Sequence, residues 1–148
     1  MYIPMSDEVD VGALRETAVN DGKAVYVPVA DDEDPSGWSF RRWHEGARLR
    51  RGYGRVWEPA SGESPREVQS LCLVPGRVFT RNGQRLGRGS GCYDRLMPRL
   101  EGLGATVGVA YECQLADRIP VEAFDQPVQY LATEDGLFDC STARPVHA

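Results

Sequence analysis

Apolar and polar positions along this chain change period several times. Val11, Leu14, Ala18 and Val19 recur at helical spacing, and the pattern stops at Gly22, so a helix is predicted there. Tyr2–Pro4 before it reads as a short extended piece. Ala24–Val29 is a short apolar run and predicts a buried strand, with Pro28 marking its end. Asp31–Gly37 is an acidic turn region, and Trp38–Trp43 alternates like an edge strand. Glu45–Pro65 mixes glycine, proline and many arginines without period, and predicts an irregular excursion.

The second half is more regular. Ser70–Val74 is an apolar run stopped by Pro75-Gly76, as expected of a buried parallel strand. Val78–Phe79 leads into a turn at Asn82-Gly83, followed by the glycine-rich Gly87–Gly91. Tyr93, Leu96, Met97, Leu100 and Leu103 fall on one helical face. Pro98 is comfortable only in a first helical turn, so the regular helix is expected near Arg95 with Asp94 at its N-cap. Thr106–Tyr111 and Val128–Ala132 predict further strands, Leu137–Phe138 a last one, and Gln114–Arg118 a helical turn ended by Pro120. Strand and helix signals that alternate predict an α/β layered sheet, with ligands beyond the carboxyl ends of its strands.

Composition narrows the function classes. The 148 residues carry 17 Lys+Arg against 22 Asp+Glu, a net charge of −5, which argues against a nucleic-acid partner. No apolar run approaches the roughly 20 residues of a membrane span, and the N-terminus has no secretory pattern. Cys72, Cys92, Cys113 and Cys140 have neither zinc-ligand nor disulfide-framework spacing and are expected as reduced thiols in a cytoplasm. His44 and His147 have no chemical partner in the sequence and are expected at the surface. Lys23 is the only lysine, so any anion site must use arginine or backbone N–H groups.

Gly87, Gly89 and Gly91 alternate with Arg88 and Ser90, a pattern that lets backbone N–H groups converge on an anion. It is neither the dinucleotide GxGxxG nor a P-loop, and a plain surface turn is equally compatible with it. Asp94 reads either as a helix cap or as a carboxylate holding Mg²⁺ beside a phosphate loop.

The longer stretch Leu73–Arg95, LVPGRVFTRNGQRLGRGSGCYDR, resembles the C-terminal signature of 5-formyltetrahydrofolate cyclo-ligases. Pro75, Gly76, Phe79, Gly83, Arg85, Leu86, Gly87, Gly89, Gly91, Tyr93 and Asp94 carry the resemblance. It extends to Tyr2–Pro4 with Asp7–Asp10, to Gly54 with Trp57-Glu58-Pro59, and to Ile119–Val121, Asp125 and Thr133–Gly136. The resemblance implies one domain over residues 1–148, a three-layer α/β/α fold with a mixed, largely parallel sheet (NagB/RpiA/CoA transferase-like), and a cytoplasmic monomer. It implies ATP- and Mg²⁺-dependent closure of 5-formyltetrahydrofolate to 5,10-methenyltetrahydrofolate. Arg85, Leu86, Gly87, Arg88, Gly89, Ser90, Gly91, Cys92 and Tyr93 would cradle ATP, with Arg88 catalytic. Ile3, Glu8 and Gly87–Gly91 would meet the folate, and Asp94 and Asp125 the metal. Four features depart from the family pattern. Met1 directly precedes the first extended piece, without the family's basic opening helix, and Val29, Thr80 and Cys92 stand where Arg, Asp and Tyr are common. A relative that binds folate or nucleotide without turnover is the alternative.

Overall fold

Residues 1–34, 36–65, 71–99 and 104–146 are described by the computed structural model. They fall into two compact units, one of Met1–Ser6 with Asp10–Val68, the other of Asp7–Val9 with Gln69–Ala148.

In the first unit α1 spans Gly12–Asn20. Asp10 Oδ1 accepts the Gly12 N–H at 2.7 Å, satisfying one donor of the first turn. At the other end the Gly22 N–H bonds Val19 and the Lys23 N–H bonds Ala18, with Gly22 at φ 75°. This is a Schellman stop, which is why the helical period ends at a glycine. Val11 and Ala18 are buried, but Leu14 of the expected apolar face is exposed. Tyr2–Pro4 forms no strand, although Tyr2 is buried.

Strand β1, Val25–Ala30, pairs antiparallel with β2, Trp38–Trp43. Pro28 does not end β1. Tyr26 accepts from the terminal ammonium and Ala30 donates to Glu58, so this set of backbone groups faces away from β2. The missing Pro28 N–H falls on that same side and costs no ladder bond.

The excursion expected at Glu45–Pro65 instead holds an antiparallel pair, β3 (Leu49–Arg51) with β4 (Trp57–Pro59). Every β3 residue is exposed, so no alternation could announce it. Its register is fixed by charge. The buried Glu58 carboxylate receives Arg50 Nε at 2.9 Å and Nη2 at 2.8 Å, and the Ala30 N–H at 3.0 Å. A Cβ on Gly52 would lie 2.1 Å from that carboxylate, so the turn needs glycine.

The second unit holds a five-stranded mixed sheet in the order β11-β10-β9-β8-β5. Here β5 is Cys72–Val74, β8 Thr106–Val109, β9 Tyr130–Thr133, β10 Gly136–Asp139 and β11 Arg144–Pro145. β5, β8 and β9 are parallel, as their apolar runs predict, and β10 and β11 are antiparallel. β11 has no sequence signal, because it is short and wholly exposed. Leu73, Val74, Phe79, Val128 and Leu131 are among the buried core. Ser70, Leu100, Leu103 and His147 lie outside the described residues.

Between β5 and β8 the chain forms a small hairpin of β6 (Val78–Phe79) and β7 (Arg85–Leu86) around the expected Asn82-Gly83 turn. Phe79 is wholly buried, and a Cβ on either Gly76 or Gly108 would meet its ring at 2.7 Å. Those two glycines leave the space that lets the hairpin sit on the sheet. The next helix, α2, starts at Cys92 and runs only to Leu96. The expectation that it begins near Arg95 with Asp94 as its cap is wrong. Gly91 takes the N-cap position at φ 63°, a left-handed conformation that favours glycine. Pro98, having no N–H, is accommodated in a 3₁₀ turn at Met97–Arg99 rather than in a new helix.

Candidate functional site

The second unit gathers most of the predicted residues around the loop that joins β7 to α2. Gly89 and Gly91 both have positive φ, at 84° and 63°. Gly87 does not, and a Cβ there would sit 3.4 Å from Arg85 Nη1. α2 has five residues, so its dipole adds little to anion binding at this loop.

Arg85 leaves β7 almost fully buried. Its Nη2 donates to Asp94 Oδ1 at 2.6 Å, and side-chain exposures of 5% and 15% make this a buried ion pair. The guanidinium also lies 5.8 Å from the Tyr93 ring centroid. Arg85 Nε is buried with no hydrogen-bond partner among the described residues. Asp94 Oδ1 accepts a second bond, from the Gln126 N–H at 3.0 Å. Asp94 therefore sits at the third position of α2, tied to β7 on one side and to the 122–126 turn on the other. Gln126 gives no sequence signal of its own, since it acts through its backbone.

Arg88 is the charge at the tip of the loop. Its Nη2 pairs with Asp7, and its Nε lies 3.6 Å from Glu8 Oε1. The acidic cluster that could simply have opened α1 is thus divided. Asp10 accepts the first N–H of α1, while Asp7 and Glu8 meet the loop. Glu8 is mostly buried. Ser90 Oγ accepts the Cys92 N–H at 3.4 Å, and Leu86 is exposed beside the loop. Ile3 lies in the first unit, half-buried.

Asp125 is half-buried, with Oδ2 accepting the Glu122 N–H at 2.8 Å. It is peptide-bonded to Gln126, whose N–H reaches Asp94, so the chain brings the two predicted metal carboxylates to one locality. Among the described residues no three His, Cys, Asp or Glu side chains form a metal cluster. Mg²⁺ is commonly held by one or two carboxylates plus phosphate oxygens and water, and this donor set fits that pattern.

Thr80, where the family pattern commonly has Asp, is buried in the β6–β7 turn. Its hydroxyl bonds Asn82 and accepts the Gln84 N–H at 3.1 Å, closing the β6–β7 turn. Cys92 is buried, and desolvation pushes its thiol up to about 12 despite the nearby Arg85. Cys140 is pushed up to about 11 by burial and by Asp139. Cys113 alone of the four is exposed. Iodoacetamide at pH 8 should therefore modify Cys113 alone in the folded protein and all four thiols in urea. A second adduct under native conditions would contradict this. Because the folded thiols have raised pKa values, their burial stabilises fully below the ordinary thiol pKa. That contribution is lost as pH rises toward 11.

Residues 1–134 match the model of the 5-formyltetrahydrofolate cyclo-ligase family. The 5-formyltetrahydrofolate cyclo-ligase of Escherichia coli K12 is 28% identical over 143 residues, covering 94% of this chain and 79% of the relative. That of Mycolicibacterium smegmatis is 29% identical, covering 89% and 71%. The NMR structure of Aquifex aeolicus 5,10-methenyltetrahydrofolate synthetase superposes with a TM-score of 0.75 at 35% identity, covering 99% of this chain and 73% of that one. Among the described residues no helix is long and apolar enough to cross a membrane.

Proposed function

We propose that this chain, which belongs to the 5-formyltetrahydrofolate cyclo-ligase family, closes 5-formyltetrahydrofolate to 5,10-methenyltetrahydrofolate with ATP and Mg²⁺. The observation that carries this reading is the buried Arg85–Asp94 pair beneath the Gly87–Gly91 loop, with Arg88 at the loop tip against Asp7 and Glu8. A buried ion pair is weak evidence of a stability function, since apolar residues of similar volume commonly serve as well or better. A cation at the base of a glycine loop, with an unpartnered donor, is suited to phosphate.

In the proposed reaction the formyl oxygen attacks the γ-phosphorus of ATP, and the bond to ADP breaks. N10 of the folate then attacks the formyl carbon and gives up its proton to solvent, and the formyl oxygen leaves with phosphate as the methenyl cation forms. Such transfers depend on positioning and charge stabilisation rather than covalent help. The Gly87–Gly91 N–H groups and Arg85 orient the phosphates, with Leu86, Cys92 and Tyr93 completing the cradle. Arg88, drawn from its carboxylate partners, neutralises charge developing on the transferring oxygens. Glu8 hydrogen-bonds the pterin. Asp94 and Asp125 would hold Mg²⁺, which when bound neutralises phosphate charge. The chain would work as one domain with the family's three-layer NagB/RpiA-like arrangement, as a cytoplasmic monomer.

Arg88 separates chemistry from folding. It is partly exposed and its ion pairs are solvent-accessible, so they contribute little stability. Arg88→Ala should lower kcat by about a hundredfold or more, the scale of losing one preorganised charge-stabilising donor. Its melting temperature should stay close to that of the parent chain. Steady-state kinetics with an unchanged kcat would refute the catalytic role.

A further inference from the structure

Gln114 lies outside the loop and outside both proposed substrate contacts, yet its side chain makes three hydrogen bonds. Nε2 donates to the Gly76 carbonyl at 3.0 Å and to the Arg77 carbonyl at 3.2 Å, and Oε1 accepts the Tyr111 N–H at 2.8 Å. The Gly76 carbonyl and the Arg77 N–H belong to one peptide plane. The Arg77 N–H donates to the Leu86 carbonyl at 2.8 Å. That plane is thus held from one end by Gln114 and grips Leu86 from the other. Leu86 is the last residue of β7, between Arg85 and Gly87. Gly76 offers no side chain to fix the plane otherwise, since a Cβ there would strike the Phe79 ring. The hairpin is tied to the same segment again where the Ala116 N–H bonds the Phe79 carbonyl at 2.9 Å.

We propose that Gln114 is a positioning residue for the nucleotide loop, setting the Gly76–Arg77 peptide that in turn fixes Leu86 and the entry to Gly87. The proposal rests on the reading of that loop as the ATP cradle. Its effect should therefore appear in nucleotide affinity before it appears in chemistry or in folding. Removing the two amide donors frees the plane to rotate about its flanking bonds, and the Leu86 carbonyl loses its fixed donor.

Two variants isolate this contact. Gln114→Met removes all three side-chain bonds at similar volume. Gln114→Glu keeps an acceptor for the Tyr111 N–H but places an oxygen against two carbonyls. Both should raise KM for ATP by about tenfold, the scale of one well-made hydrogen bond. The change in kcat should stay below about threefold on the same scale, and KM for the folate, which meets the same loop, should rise less than KM for ATP. Calorimetric titration with ATP alone should show the same loss of affinity, and amide exchange at Arg77 should quicken in both variants. An unchanged ATP affinity in Gln114→Met would overturn the proposal, as would a parallel loss of both substrate affinities and melting temperature. If the unsubstituted chain binds no ATP, the nucleotide-loop reading itself fails. Binding by the unsubstituted chain with no change in the variants refutes only the role of Gln114.

Discussion

Asp94→Asn should reduce turnover by about a hundredfold or more, comparable with losing a preorganised charge-stabilising group, while the protein stays folded. Asparagine keeps an oxygen for the Gln126 N–H and for Arg85 Nη2, so the geometry that ties β7 to the 122–126 turn survives. What it loses is the negative charge, on which Mg²⁺ would depend and which also balances the buried Arg85 guanidinium, so it gives up part of the pair's stability but keeps both hydrogen bonds. Asp94→Ala differs. It strands the Arg85 guanidinium, whose side chain is 5% exposed, without its carboxylate. Breaking a buried pair in this way costs about 3–5 kcal/mol. The sequence alone would suggest that alanine merely removes a ligand; the burial of Arg85 makes it a folding lesion as well. A double variant, Asp94→Leu with Arg85→Met, separates the two roles. Stability should recover toward the parent value, because apolar residues can replace a buried pair at little cost. Activity should not recover. Urea titration and initial rates on the four proteins give the comparison. A double variant that regains turnover would show that the pair serves folding alone.

Gly83→Ala should be the most damaging glycine substitution in the β6–β7 hairpin. A Cβ there would lie 2.1 Å from the Val128 carbonyl oxygen, and the residue sits at φ 86°. The Val128 N–H also donates to the Gly83 carbonyl at 2.9 Å, so moving the turn away breaks that bond too. Backbone strain, a backbone clash and a lost hydrogen bond together predict about 3 kcal/mol or more. Gly89→Ala is the control. It has a similar φ of 84° but open space around the missing Cβ, so only the conformational cost of about 1–2 kcal/mol applies. Equal urea midpoints for the two variants would contradict the steric account. Because the turn at Gly83 carries Arg85 two residues on, any Gly83→Ala protein that folds should also bind ATP weakly.

These residues show which parts of the molecule could be read from the chain. The parallel strands β5, β8 and β9 announce themselves because burial demands apolar runs. The end of α1 was legible because Gly22 has one physical use there. The β3–β4 pair was not legible. Its register depends on Glu58 meeting Arg50 and Ala30, a long-range charge contact invisible to local period. The start of α2 was misplaced because the proline rule assumed one regular helix, whereas Gly91 reverses the chain earlier and Pro98 closes a 3₁₀ turn. At the site, residue types and their order pointed to Arg85, Arg88 and Asp94. What they could not show was that Arg85 and Asp94 bind each other, or that Gln126 and Gln114 act at a distance along the chain. Gln126 contributes its own backbone N–H, and the Gln114 side chain bonds backbone groups of distant residues, and neither kind of contact leaves a mark on composition or spacing.

Closure of the formyl folate can be followed on the chain as it stands. Incubating the 148-residue chain with 5-formyltetrahydrofolate and ATP, with and without Mg²⁺, tests it directly. 5,10-Methenyltetrahydrofolate should form together with equal amounts of ADP and phosphate, and only when both ATP and Mg²⁺ are present. A folded sample that binds folate or nucleotide but forms no methenyl product would contradict it and identify the chain as a non-catalytic member of its family.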